Sequence, residues 1–433
     1  MKRVLVISYY WPPSGGSGVQ RWVKFSKYLP SEGWQPVIYT PENPELTTTD
    51  YSLEEEIPQE AEIIKTHIFE PYGIYRTITG SKKKESQSEV NPINAQKKTL
   101  KQKISMLIRG NLFIPDPRCM WISPSVKFLK KYLKEHPADI IISTGPPHSM
   151  HLIAKGVAQA TGIPWIADFR DPWTKMFYFK HLGLSSWAEK RHKALEKTVL
   201  DSADAIVAVS PLVQEEFQEM TSTPVHLITN GYDEEDFDQV VEQDGYFNIT
   251  HTGLFASDGD PEALWAALAQ KCREDKEFSE MLRIRLAGKN DKAIISSIIN
   301  AGLAANLRDI GYVSHQDAVR EQKNASVLIL PLRKEPEYKA TIPGKLFEYL
   351  ASRKPVLGIG QKDGAMARIL ESSKAGVVSD WNEYADIYRY ISNCWELFKA
   401  DKLEAGTENI EKYTRKALTR DMAALMDSLI KTK

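Results

Sequence analysis

RVLVISYYWPPSGGSGVQRWVKFSKYL, residues Arg3–Leu29, decides the fold. It opens with a short β-branched run, Arg3–Ser8, passes through a glycine-rich turn and enters an amphipathic segment, Gly18–Leu29. A short apolar strand followed by a helix is the repeating unit of a parallel sheet covered on both faces. The unit recurs in PVIYT (Pro36–Thr40), DIIIST (Asp139–Thr144), IPWIADF (Ile163–Phe169), DAIVAV (Asp204–Val209) and VHLITNG (Val225–Gly231). Right-handed crossovers then predict a doubly wound α/β layer.

The pattern restarts after a polar, acidic stretch, Asp233–Gly245, which reads as a linker. FNITHTG (Phe247–Gly253), LRIRLAG (Leu282–Gly288), NLRDIGY (Asn306–Tyr312), SVLILPL (Ser326–Leu332) and PVLGIG (Pro355–Gly360) form a second Rossmann-like series. A chain of 433 residues exceeds what one core usually supports. Two domains are therefore expected, over residues 1–241 and 242–415. The closing stretch, 416–433, has the apolar spacing of an amphipathic helix able to pack back on either domain.

Composition narrows the function. Hydrophobic residues make up 42% and charged residues 26%, with a net charge of −1. A near-neutral chain lacks the basic excess of a general nucleic-acid binder. Cys119, Cys272 and Cys394 are far apart, with no CxxC pair, so neither a disulfide framework nor structural zinc is expected. The amino-terminal apolar run is too short for a signal peptide, and no apolar stretch reaches about 18 residues, so a cytoplasmic protein is expected. Within Tyr72–Pro117, Leu100, Ile104, Leu107, Ile108 and Leu112 share one helical face among Lys97, Lys98, Lys101, Lys103 and Arg109. Such a helix over 97–113 can touch an anionic membrane at its inner face or dock on its own domain; the pattern leaves both open.

Two loops carry ligand-binding chemistry. In the first, Gly15, Gly16 and Gly18 allow close backbone approach to a bound group, with a helix N-terminus behind them. The spacing is not GxGxxG, and no acid ends Pro36–Thr40 to hold a ribose. Arg21, one turn on, adds charge to a cleft or pairs on the surface. In the second, Thr341-Ile342-Pro343-Gly344-Lys345 predicts a helix capped by Thr341 with Pro343 in its first turn. Lys345 there opposes the helix dipole, which an anionic ligand explains. Glu348 follows one turn later, able to accept from ribose hydroxyls.

Two further places stand out. Asp168-Phe169-Arg170-Asp171-Pro172-Trp173 sets three charges at the end of a strand. Either Asp168 or Asp171 orients or deprotonates an acceptor, or an Arg170–Asp pair braces the loop. In TGPPHSMH, His148 and His151 begin the helix after Asp139–Thr144, as site histidines or as caps.

With YYWPPSGGSGVQR, IADFRDPW, GYVSHQDAV and PGKLFEYLASRKPVLGI in view, the chain resembles the family-4 retaining glycosyltransferases of GT-B fold, in particular bacterial members of surface-polysaccharide assembly. The resemblance implies two facing Rossmann-like domains with an interdomain cleft and a nucleoside-diphosphate sugar donor held mostly by the second. It implies retention of configuration and no required metal or other cofactor. The leaving phosphate then helps deprotonate the acceptor, and positive charge and dipoles stabilise the departing diphosphate. Residue by residue, it assigns Gly15, Gly16 and Gly18 to a phosphate and acceptor loop. Gly253, Gly288 and Lys289 fall beside the nucleotide, Val313 and His315 along the base, and Glu348 on the ribose. His148 matches a stretch where some relatives place a catalytic histidine.

Two departures stand against it. Ala340 occupies the place of the family's first motif glutamate, and acids follow Gly253 where the family often has Arg and Lys. Lys345 is taken to supply the missing cation. The expected activity is metal-independent hexosyl transfer from a nucleotide sugar to a lipid-linked or glycan acceptor. The alternatives are a nucleotide-sugar epimerase of the same fold and a non-catalytic binder of nucleotide sugars.

Overall fold

The computed structural model describes residues 1–46, 49–70 and 110–430. The helix expected over 97–113 lies almost wholly outside the described residues. The chain divides into two compact units, Met1–Thr229 with the segment from Lys416, and Asn230–Arg415. The division falls at Thr229/Asn230, twelve residues before the boundary read from composition. The acidic stretch is the opening segment of the second unit, where Asp233 caps a short turn, Glu234–Phe237.

The first unit is a seven-stranded parallel sheet. Its strands are β1 (Lys2–Ile7), β2 (Trp34–Pro41), β3 (Glu62–Thr66), β4 (Ile140–Gly145), β5 (Trp165–Phe169), β6 (Ala205–Ala208) and β7 (Val225–Leu227), in the order β3-β2-β1-β4-β5-β6-β7. The order reverses between β1 and β4, the place where open α/β sheets bind ligands beyond the strands' carboxyl ends. Helices α1 (Ser17–Tyr28), α2 (Ile122–Glu135), α3 (Ser149–Thr161), α4 (Ser186–Ser202) and α5 (Pro211–Met220) lie between the strands in sequence. β3 escaped the sequence reading because its residues are only half-buried, which erases the continuous apolar run.

The helix Arg415–Ile430 completes the first core. Leu418, Met422, Ala423, Leu425 and Met426 join one buried cluster with Trp22, Val23, Phe25 and Trp34. Lys2 Nζ binds Asp427, and Lys416 Nζ lies 5.5 Å from the Tyr28 ring centre. The apolar spacing seen in sequence thus joins one core cluster with α1 and with residues of the central strands, Val4, Val6, Ile38 and Ile142 among them.

The second unit repeats the plan with six parallel strands: β8 (Phe247–Thr252), β9 (Leu282–Ala287), β10 (Leu307–Gly311), β11 (Val327–Pro331), β12 (Val356–Ile359) and β13 (Gly376–Ser379). Their order is β10-β9-β8-β11-β12-β13. Its helices are α6 (Glu262–Glu274), α7 (Lys276–Met281), α8 (Lys292–Asn300), α9 (His315–Lys323), α10 (Lys345–Ala351), α11 (Ala365–Ser372) and α12 (Tyr384–Lys399). Among the described residues no helix is long and apolar enough to cross a membrane.

The returning helix gives a direct test. Met422 is fully buried, so Met422→Ala should cost about 2–5 kcal/mol, the range for emptying a methionine site in a core. A urea melt followed by circular dichroism should show an earlier first transition. An unchanged midpoint would mean that the helix does not hold the first unit together.

Candidate functional site

At the carboxyl edge of the first sheet, β5 delivers Asp168 into a sealed position. Its Oδ1 accepts from Arg21 Nη2 at 2.9 Å. Its Oδ2 accepts from Arg21 Nε at 3.1 Å, Trp22 Nε1 at 2.8 Å and Thr144 Oγ1 at 3.0 Å. Arg21 donates further to the carbonyls of Thr229 and Ile228 at 2.7 and 2.9 Å. Burial alone pushes the Asp168 carboxyl up, but the Arg21 guanidinium and Trp22 outweigh it and hold the group below the usual carboxylate range. Asp168 and Arg21 expose no surface. This corrects two expectations: Arg21 is neither a surface nor an open-site charge, and Asp168 is too fully engaged to serve an acceptor. Together they lock α1 to the sheet.

Arg170 forms the expected loop ion pair with neither Asp168 nor Asp171. Its Nη1 donates to the Gly18 carbonyl at 2.8 Å, and its Nη2 donates to the Pro146 carbonyl. A Cβ on Gly18 would stand 2.6 Å from that Nη1, so the third glycine of the turn makes room for an arginine. Gly16, at φ 101°, starts α1, and Gly15 precedes it. The side chain that keeps a free acid here is Asp171. It is half-buried, and burial, only partly opposed by Arg170, raises its pKa to about 6.

His148 lies against this loop. It is 5% exposed and stacks on Trp173 with ring centres 4.5 Å apart and planes 2° from parallel. Neither ring nitrogen has a hydrogen-bond partner among the described residues. Burial, with His151, Arg170 and His192 nearby, holds its pKa well below the usual value, so the imidazole is neutral. His151 bonds Ser143 Oγ at 2.8 Å and serves the core. Trp173 is fixed in turn by α4. Its indole Nε1 donates to His192 Nδ1 at 3.1 Å, and its backbone N–H donates to Glu196 Oε1 at 3.1 Å. Sequence reading passed over His192 and Glu196. Their sign was two polar residues four apart on the apolar face that also carries Ala188 and Val199.

In the second unit, the carboxyl ends of β8 and β9 come together through glycine. Gly288, at φ 150°, would place a Cβ 2.0 Å from the Gly253 carbonyl oxygen, so no other residue fits. Lys345 reaches the same spot. Its Nζ donates to the Thr252 carbonyl at 2.6 Å and lies 3.4 Å from His251 Nε2. Burial lowers its pKa to about 8, with Glu348 opposing the shift. The neighbouring histidine is sealed, and burial then Lys345 push it down to about 3. Glu348 is half-buried and accepts from Gln322 Nε2 at 2.9 Å.

The expected helix tip is different from its prediction. Thr341 is extended, at φ −81° and ψ 132°, and closes the turn Pro336–Ala340 rather than capping α10. Ile342 is buried, Pro343 and Gly344 form a lead-in turn, and α10 begins at Lys345 with seven residues. So short a helix supplies little dipole, and the ammonium itself is the main positive group. The loop after β9 exposes Lys289, whose carbonyl accepts from Phe255 N. Val313 is half-buried just before α9, and His315 begins that helix with Nε2 3.4 Å from Asp236 Oδ2. The acids after Gly253 are used internally: Asp258 pairs with Arg333 at 2.8 Å and Asp260 accepts from Trp265 at 2.7 Å. Ala340 ends the turn Pro336–Ala340.

Two parallel-sheet units of this order, each with its conspicuous loops at the carboxyl edge, define the GT-B class of α/β protein. The comparisons agree. Glycosyltransferase Family 4 matches residues 96–236, and Glycosyl transferases group 1 matches residues 258–396. The chain belongs to the family-4 glycosyltransferases of GT-B fold, and its reaction is glycosyl transfer from a nucleotide sugar. Among solved structures it is similar to sucrose-phosphate synthase from Thermosynechococcus elongatus, at TM-score 0.65 and 14% identity, with all of both chains covered. It is similar to HepE of Anabaena in complex with UDP-glucose, at TM-score 0.60 and 13% identity, covering 99% of this chain and 100% of that one. It is also similar to a protein described as a putative UDP-N-acetylglucosamine 2-epimerase from Listeria monocytogenes, at TM-score 0.55 and 11% identity, covering 100% of this chain and 98% of that one. At such low identity these likenesses show the fold alone. No curated protein matches the chain significantly in sequence.

The two aspartates of the loop should part company on substitution. Asp168→Asn breaks a buried ion pair and should cost about 3–5 kcal/mol. Asp171→Asn should stabilise at pH 7.5. A carboxyl raised to about 6 costs stability once ionised, so the advantage should shrink as pH falls below 6 and vanish near its unfolded value of about 4. Urea melts across pH 4–8 read both effects. Equal behaviour of the two variants would refute the distinction.

Proposed function

We propose that the chain is a retaining hexosyltransferase that takes its donor as a nucleoside-diphosphate sugar and needs no metal. The observation that carries this is the group at the ends of β8 and β9. A half-buried ammonium, Lys345, stands against the close-packed glycine backbone of Gly253 and Gly288, with a carboxylate, Glu348, one helical turn along. In this reading Lys345 meets the diphosphate and Glu348 accepts from the ribose hydroxyls. Val313 and His315 line the base, and Lys289 flanks the nucleotide. UDP is the nucleotide to try first, because the similar HepE structure holds UDP-glucose.

The chemistry follows from charge. The bond between the sugar C1 and the donor phosphate oxygen breaks, and negative charge gathers on the leaving diphosphate. An ammonium in a partly desolvated site stabilises that charge more strongly than one in water. The acceptor hydroxyl forms the new bond on the same face of the sugar and gives its proton to the leaving phosphate. In the first unit, neutral His148 offers a ring nitrogen to a sugar hydroxyl. Asp171, ionised above about pH 6, orients the acceptor hydroxyl. The acceptor is proposed to be a glycan or a lipid-linked saccharide, from the resemblance to the surface-polysaccharide members. The same resemblance suggests work on the cytoplasmic side of a membrane.

Because an epimerase shares this fold, the reaction must be separated from it. Incubation with UDP-glucose should release UDP slowly; a new sugar epimer or a glycal would favour the epimerase, and no turnover a binding protein. A thermal-shift screen of UDP, GDP and ADP finds the base, since a ligand that binds only the folded state raises the melting temperature. Lys345→Ala should weaken binding of the responding diphosphate by about ten- to a hundredfold, as expected for losing a charge-assisted contact. Affinity in the parent protein should also decline as pH rises through about 8, where Lys345 gives up its proton. Calorimetric titration from pH 6.5 to 9.5 checks the sign. Equal affinity in the variant would remove the phosphate assignment.

A further inference from the structure

Gln322 is fully buried on α9, on the face it shares with Val319. A buried primary amide is costly unless its groups are paired, and an apolar residue would serve packing alone. Here the amide nitrogen is fully used. Nε2 donates to Thr252 Oγ1 at 3.1 Å and to Glu348 Oε2 at 2.9 Å, while Oε1 lies 3.4 Å from Ser352 Oγ, whose one proton is shared with the closer Glu348 carbonyl at 2.9 Å. The direction is dictated by chemistry. An ionised carboxylate only accepts, so the amide nitrogen must face it.

We infer that Gln322 is the positioning residue that aims Glu348 at the nucleotide's ribose, an inference that rests on the donor reading above. Its amide holds Oε2 and leaves Oε1 as the oxygen offered to a ligand. It also answers a hazard of the site. Lys345 and Glu348 lie within electrostatic reach of each other, yet they do not pair; the ammonium goes to the Thr252 carbonyl and the carboxylate to Gln322. Were they to pair, each would cancel the group that the donor requires. Thr252 links the two arrangements, since its carbonyl takes Lys345 and its hydroxyl takes Gln322. Its N–H donates to Tyr349 at 3.0 Å, which ties the strand end to α10.

The test reads ribose recognition rather than folding. UDP and 2′-deoxy-UDP are titrated calorimetrically into the full chain, with the GDP pair run in parallel, and the ratio of dissociation constants is the readout. The parent protein should prefer the ribose form by about tenfold, the effect of one good hydrogen bond to a charged group. Gln322→Met, close to isosteric but without the amide, should bring the ratio to within about threefold, since a mobile carboxylate no longer selects the hydroxyl. Gln322→Asn keeps an amide but withdraws it by one carbon; it should move the ratio the same way and serves if the methionine variant folds poorly. A general loss of packing would weaken both ligands together and leave the ratio alone, which overturns the inference. Glu348→Gln is the control for the underlying reading. A collapsed ratio there with an intact ratio in the Gln322 variants defeats the positioning role only. An intact ratio in Glu348→Gln defeats the ribose assignment itself.

Discussion

Thr252 ends β8 with each of its polar groups committed: N–H to Tyr349, hydroxyl to Gln322 and carbonyl to Lys345. A strand that stops inside a protein leaves backbone groups that no neighbouring strand can take, and burial makes each of them costly. The second unit meets that obligation with side chains that also carry charge. Lys345 and Glu348 are therefore fixed by the demands of the sheet end before any ligand arrives. Ligand binding then needs little reordering of those side chains, which lowers its entropic cost.

The first unit solves the same problem differently. At the end of β5 the carboxylate of Asp168 is shut in by Arg21, Trp22 and Thr144, and the open chemistry moves three residues on, to Asp171. The neutral ring of His148 is clamped on Trp173, itself held by Glu196 and His192. One edge thus offers acid, imidazole and arginine on a braced loop; the other offers an ammonium and a carboxylate beside glycine backbone. Neither set alone distinguishes transfer from epimerisation; the match to two glycosyltransferase family models is what favours transfer.

Much of this was legible in the sequence, for identifiable reasons. Central strands such as Ile140–Gly145 and Val327–Pro331 are buried on both sides and so read as unbroken apolar runs. The edge strands Glu62–Thr66 and Gly376–Ser379 are half-covered and short, and their signal disappears into the loops. Lys345 and Glu348 stood out because a cation opening a helix needs an explanation. Gln322 and Glu196 did not, and Arg21 was noticed but given the wrong setting, because their partners lie far away in sequence. A polar residue within an apolar stripe was the sole trace, and it does not name its partner. The start of α10 was misplaced because Thr341 and Pro343 look like a cap and a first turn, whereas the chain stays extended until Gly344.

The return of the helix Arg415–Ile430 to the first unit has a consequence for biosynthesis. The ribosome makes the sheet of that unit first, then the whole second unit, and only afterwards the helix whose Met422 and Met426 cover Trp22 and Trp34. Domains otherwise tend to fold in the order of their emergence. Here the unit that emerges before the other is completed after it, and during translation of nearly two hundred intervening residues Trp22 and Trp34 lack the cover of this helix. A nascent chain in that condition is a natural client for a chaperone, and a premature stop late in the message would injure the half of the protein that was translated first.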